Sequence, residues 1–196
     1  MPSDQGNYQL RVARLQDEPA LRELIARSIR ALGSGDYAPE QIEAALRGAF
    51  GVDTQLIRDG TYFVVVTRAG EIVACGGWSR RRTLFGSDAR AGRDESWLDP
   101  RTDAAKVRAF FVDPAHARRG LGRRILERSE AEAAQAGFSR LELMATLPGV
   151  RLYEKCGYLA GASIVHPLSG GLSIVFVPMS KVAAAAAATS HSNQEA

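Results

Sequence analysis

The stretch VRAFFVDPAHARRGLGRRIL, residues 107–126, decides how the chain is read. Ala109 to Val112 form a continuous apolar run, the mark of a central strand covered on both faces. Asp113-Pro114 ends it, and from about Gly120 a helix begins, with Leu121, Ile125 and Ala133 along one face. Between strand and helix, Arg118, Arg119, Arg123 and Arg124 crowd around Gly120 and Gly122. A helix N-terminus already carries partial positive charge from its unpaired N–H groups, so cations there are unfavourable. An anion seated at the turn would reverse that sign. A glycine-containing turn from strand to helix presents backbone N–H groups to phosphate in just this way.

Working outward, YQLRVARL (8–15) alternates like a strand, and DEPALRELIARSIRAL (17–32) places Leu21, Leu24, Ile25, Ser28 and Ile29 at helical spacing. APEQIEAALRGAF (38–50) reads as a second helix opened by Pro39, and TYFVVVTRAGEIVACGGWSR (61–80) as a hairpin around Ala69-Gly70. Residues 82–105 lose all periodicity, and a loop of that length in a compact domain is usually functional or disordered. Trp97 and Leu98 within it predict that it folds back, with Trp78 and Ser79, as a lid or wall. Downstream come a strand (139–146), a short helix (148–156) stopped at Gly157, and two strands around Ser169-Gly170-Gly171. This order predicts a mixed α/β fold, largely antiparallel in its front half, with a parallel strand–helix–strand unit in the middle. Residues 1–181 are expected to form a single domain, and the alanine-rich, low-complexity segment 182–196 a mobile tail.

A chain of 196 residues has room for one well-buried core. No apolar run approaches the roughly 18–20 residues that span a bilayer, and the polar N-terminus lacks a basic-then-apolar signal, so a cytoplasmic location is expected. Cys75 and Cys156 form no CxxC pair, which points away from a disulfide framework and from a metal site. Lysine occurs only at Lys106, Lys155 and Lys181, and a second arginine cluster stands at Arg80, Arg81 and Arg82. A nucleic-acid-binding domain would use such patches, but a net charge of +3 is thin support for one.

The loop contains no Walker A run, and Ile125 stands where a dinucleotide-binding fingerprint needs glycine or alanine. ARRGLG (117–122) instead resembles the pyrophosphate-binding signature Q/R-x-x-G-x-G/A of the GNAT N-acetyltransferase superfamily, with Ala117 departing from its first position. Two further matches follow the family's order: VRAFFVDP (107–114) resembles its bulged strand, and RLYEKCGY (151–158) its L-Y-x-x-x-G-F/Y helix. The resemblance spans about residues 8–179. It implies a GNAT-like fold: a mixed, mostly antiparallel central sheet with flanking helices and a splayed parallel strand pair that binds coenzyme A.

The implied activity is direct transfer of an acetyl group from acetyl-CoA to a primary amine of a small molecule or protein, with no metal. By resemblance, Ala117, Arg118, Arg119, Gly120, Leu121, Gly122 and Arg123 hold the diphosphate, the four arginines surrounding its charge. A bulge would free main-chain N–H groups of Phe110, Phe111 and Val112 for the acetyl carbonyl and the pantetheine amide. Tyr153 is the expected general acid, since a phenol titrating near ~10 stays protonated beside a thiol titrating near ~8.5. Cys156 reads as core, and His116 as a phosphate neighbour or a solvent-facing side chain. No motif fixes the general base, which Glu142, Asp103, His166 or a water chain could supply. A homodimer is compatible with such a domain. The alternatives are a catalytically silent acyl-CoA-binding module, which the intact Tyr153 context argues against, and the nucleic-acid binder.

Overall fold

The structure, a computed structural model, describes residues 7–90 and 92–183. Eight strands form one sheet: β1 (Tyr8–Val12), β2 (Tyr62–Thr67), β3 (Ile72–Ser79), β4 (Ala105–Val112), β5 (Arg140–Thr146), β6 (Leu159–Ala160), β7 (Ile164–Pro167) and β8 (Ser173–Val182). Their order is β1-β2-β3-β4-β5-β8-β6, with β7 also paired to β8. Every pairing is antiparallel except β4–β5, which is parallel. That one parallel pair is joined by the crossover helix that the 107–126 stretch begins.

Five helices cover the sheet: α1 (Glu18–Leu32), α2 (Pro39–Ala45), α3 (Thr54–Arg58), α4 (Leu121–Gln135) and α5 (Val150–Lys155). On one face, Leu21, Leu24, Ile25 and Ile29 of α1 pack with Ile42 and Leu56 against Tyr62, Val64 and Val66. On the other, Leu121, Ile125, Leu126 and Ala133 of α4, with Tyr153 of α5, meet Phe63, Val65 and Val73. These are the two cores of a three-layer α/β arrangement, and the helical spacing read from the sequence supplies the buried stripe of each long helix.

Several expectations are corrected. The second helix stops at Ala45 rather than 50, because the following turns close on Ile42, Ala44 and Ala45 carbonyls before Phe50 drops into the core. A five-residue helix, α3, went unread, since five residues carry too little periodicity to register. The end of the fold holds three strands rather than two, β6 being a two-residue addition to β8. β8 runs through Val182, and of the expected tail residues 184–196 lie outside the described residues.

Candidate active site

The turn between β4 and α4 is where the sequence places an anion site. Asp113 accepts a hydrogen bond from the Ala115 N–H at 2.9 Å, turning the chain out of β4. Arg118 and Gly120 then take left-handed φ values of 65° and 78°. Gly120 does so without penalty, whereas an arginine there carries roughly 1–2 kcal/mol of strain, the kind of cost that collects at functional loops. The first hydrogen bond of α4 runs from the Arg124 N–H to the Gly120 carbonyl, which leaves the N–H groups of Leu121, Gly122 and Arg123 without a partner inside the helix. Alternating backbone of this kind beside a helix N-terminus fits a diphosphate.

The four arginines do not act alike. Arg123 forms an exposed ion pair with Glu127 at 2.8 Å, a contact that solvent screens and an anion can displace. Arg124 turns away, its guanidinium donating to the Tyr8 carbonyl of β1 at 3.1 Å. The expectation that all four surround one charge is thereby corrected: Arg124 ties the helix to β1. His116 is likewise engaged, hydrogen-bonded through Nδ1 to the Tyr8 hydroxyl at 2.9 Å.

β4 and β5 pair only at Ala105–Leu141, Lys106–Glu142 and Val107–Leu143, then separate. A bulge lies where they part. Opposite β4, Cys75 pairs with Phe111 and Gly77 with Arg108, so β3 advances two residues while β4 advances three. Ala109 accommodates the extra residue with φ 61°. Side-chain alternation breaks there: Val107, Phe110 and Val112 pack on the α4 face, and Ala109 and Phe111 on the α1 face. The Tyr62 hydroxyl holds the bulge by donating to the Ala109 carbonyl at 3.0 Å. The Phe110 ring lies over Gly76, where a Cβ would stand 2.7 Å from it.

The cleft opened by this splay is lined by Phe110, Phe111, Met144, Thr146 and Tyr153, with Phe50, Leu84, Phe85 and Phe176 as further walls. Tyr153 stands edge-on to Phe110, ring centroids 6.2 Å apart, and to Tyr158 at 5.7 Å. Burial pushes its phenol well above the ordinary range, so it is protonated at neutral pH. Beside it, the Tyr158 hydroxyl is buried without a hydrogen-bond partner among the described residues. Val112 differs from its neighbours because its N–H already donates to Ser28 Oγ at 3.2 Å. Ser28 was legible only as a member of the buried face of α1.

Other sequence readings fall elsewhere. Glu142 forms an ion pair with Lys106, and both line a second cleft together with Asp103, at the paired ends of β4 and β5. Neither acid lines the splay. His166 packs edge-on to Phe85 at 5.0 Å, beside the cleft wall. Burial raises the Cys156 thiol, which suits packing rather than nucleophilic attack. Arg81 is paired with Asp59 at 2.7 Å, Arg82 with Asp103 at 3.6 Å, and Arg80 lies against Trp78 and Trp97. The loop does fold back, through Leu98 as expected but not through Trp97. Leu84, Phe85 and Gly86 line the cleft and Leu98 enters the core, while Trp97 stays 57% exposed and Trp78 is buried on the α4 side.

The sequence pattern missed one cluster. Arg108, immediately before the bulge, is buried and ion-paired with Asp53, which itself has no exposed surface. Arg93 from the long loop pairs with the other Asp53 oxygen at 2.7 Å and with Asp88 at 3.2 Å. Arg108 also donates to the Thr83 carbonyl at 2.7 Å and the Gly86 carbonyl at 3.1 Å, which fixes the loop against the cleft. A charged residue inside an apolar strand run was the available signal.

Residues 22–158 match the model of the acetyltransferase (GNAT) family. No curated protein matches the chain in sequence. Among solved structures, a GCN5-related N-acetyltransferase from Rhodopseudomonas palustris superposes with a TM-score of 0.65 at 18% identity, covering 90% of this chain and 96% of that one. An N-acetyltransferase from Staphylococcus aureus gives 0.60 at 13% identity, with 91% and 99% covered. The PaiA N-acetyltransferase from Thermoplasma acidophilum, solved with coenzyme A, gives 0.59 at 14% identity, with 89% and 98% covered. At these identities the superpositions speak for the fold. Among the described residues no helix is long and apolar enough to cross a membrane.

Proposed function

The chain belongs to the GNAT acetyltransferase family, and on that premise we propose that it transfers the acetyl group of acetyl-CoA directly to a primary amine. The observation that carries the reading is the conjunction of an anion cradle at the start of α4 with a splayed, bulged strand pair beside a protonated Tyr153. Ala117 to Arg123 would hold the diphosphate, with Arg118, Arg119 and Arg123 contributing charge-assisted bonds. Acetyl-CoA supplies the acetyl group as a thioester. The main-chain N–H groups of Phe110, Phe111 and Val112 would polarise its carbonyl and hold the pantetheine arm. For Val112 this requires Ser28 to release its hydrogen bond.

As the new N–C bond forms and the C–S bond breaks, Tyr153 delivers its phenolic proton to the departing thiolate. The acceptor attacks as the neutral amine, having lost its ammonium proton to solvent; after the N–C bond forms it gives up a second proton to water in the cleft, and solvent restores the phenol. Water takes that role because Glu142, Asp103 and His166 are not among the residues that line the splay. With no disulfide framework suggested by its two cysteines, we place the enzyme in the cytoplasm.

Calorimetric titration with acetyl-CoA, alongside the Arg118→Ala, Arg119→Ala double variant, tests the reading. Micromolar binding that weakens at least tenfold in the double variant is the expected result. Absence of binding to the parent protein would remove the enzymatic reading and leave the fold.

A further inference from the structure

The cleft beside the bulge has an electrostatic character that bears on the acceptor. Its walls are apolar and largely aromatic: Phe50, Phe85, Phe111, Met144 and Phe176. Thr146 and Tyr153 provide hydroxyls; among the described residues no carboxylate takes part, and the charged group that does is the buried Arg108. Its Nε is buried without a partner, although the remaining guanidinium atoms bind Asp53, Thr83 and Gly86.

More positive charge stands behind it. Arg93 shares Asp53 with Arg108, so one buried carboxylate serves two guanidiniums. Asp88, the second acid of the cluster, has a side chain 44% exposed and is screened by water. Arg90 lies 4.3 Å above the Phe85 ring and donates to the Phe85 carbonyl at 2.8 Å, placing a third guanidinium at the wall. The excess is felt locally. Burial, with Arg93 and Arg90 adding to it against Asp53, brings Arg108 down to about 10, and burial together with Arg90 depresses His166.

We propose that the acceptor is an amine that carries its own carboxylate on an apolar body, the chemistry of a free aromatic or aliphatic amino acid. This rests on the acetyltransferase reading of the same cleft. Aromatic walls suit the apolar body, and the guanidinium cluster suits the carboxylate, for which arginine is the preferred partner. A polycationic amine meets the opposite field: it would lose its hydration among phenyl rings beside uncompensated positive charge.

The test compares matched acceptors by following thiol release from acetyl-CoA, after acetyl-CoA affinity has been measured separately by calorimetry. Phenylalanine and leucine carry the carboxylate, phenethylamine and phenylalaninamide keep the body without it, and spermidine is the polycation. The expected result is a kcat/KM at least tenfold higher for an amino acid than for its carboxylate-free counterpart, with spermidine lowest. Arg90→Gln should raise KM for the amino acid about tenfold while kcat and acetyl-CoA affinity hold. A preference for phenethylamine, phenylalaninamide or spermidine overturns the proposal, as does failure to acetylate any carboxylate-bearing amine while acetyl-CoA still binds. Loss of acetyl-CoA binding in the parent protein would overturn the acetyltransferase reading and this inference together.

Discussion

Tyr153 shows how a single residue depends on its surroundings for its chemistry. The hydroxyl is kept neutral by burial beside Phe110 and Tyr158. Tyr153→Phe keeps the ring packing and removes only the proton, so kcat should fall about 100-fold with acetyl-CoA affinity unchanged. Steady-state rates and calorimetry on one preparation separate the two. Asp53 poses a different residue-scale problem, because one carboxylate is the shared counter-ion of two buried arginines. Asp53→Asn should destabilise the fold by about 3–5 kcal/mol, read as a lower urea midpoint, because it leaves Arg108 and Arg93 buried without their shared counter-charge. Tyr153 was legible from its motif. Asp53 was not, since its partners stand at positions 93 and 108 and no local pattern links them.

At the scale of elements, the bulge in β4 does two jobs: it parts β4 from β5 and turns Phe110 toward Tyr153. Gly76 of the neighbouring strand makes it possible, since any Cβ there would meet the Phe110 ring at 2.7 Å. Gly76→Ala should displace that ring, costing about 1–3 kcal/mol in denaturant unfolding and raising the KM for acetyl-CoA. The start of α4 was readable because its glycines and arginines fall within one short run. The C-terminal end of α2 and the existence of α3 were not, because their stops are set by turns that close on the core and by Phe50 and Leu56 finding places in it. The loop from 82 to 105 reads as structureless for the same reason. What holds it is Arg93 on Asp53, Arg108 on its carbonyls and Leu98 in the core.

For the molecule as a whole, burial of neutral titratable groups sets the alkaline limit of stability. Cys75 and Tyr37 are both raised to about 12 and Tyr62, Tyr153 and Tyr158 are also raised, in each case chiefly by burial. These groups hold their protons in the folded state while the unfolded chain releases them near ~8.5 for a thiol and ~10 for a phenol. Their contribution is therefore complete below about pH 8 and declines as pH rises through the folded values. Thermal melts should show a falling Tm above about pH 9 that Cys75→Ala partly relieves. A flat Tm up to pH 11 would contradict this account. By itself the sequence determined the order of the elements apart from α3 and β6, the glycine- and arginine-rich turn before α4, the motif bearing Tyr153 and the family resemblance, because each is written in a short contiguous window whose periodicity or turn chemistry is local. Only the tertiary structure decided which arginines remain at the turn, where β4 and β5 part, that Ser28 reaches Val112, and that the cleft is aromatic and positively charged. Those properties arise where distant segments meet, through a one-residue offset in strand register and through buried charges whose partners are chosen by packing and not by spacing along the chain.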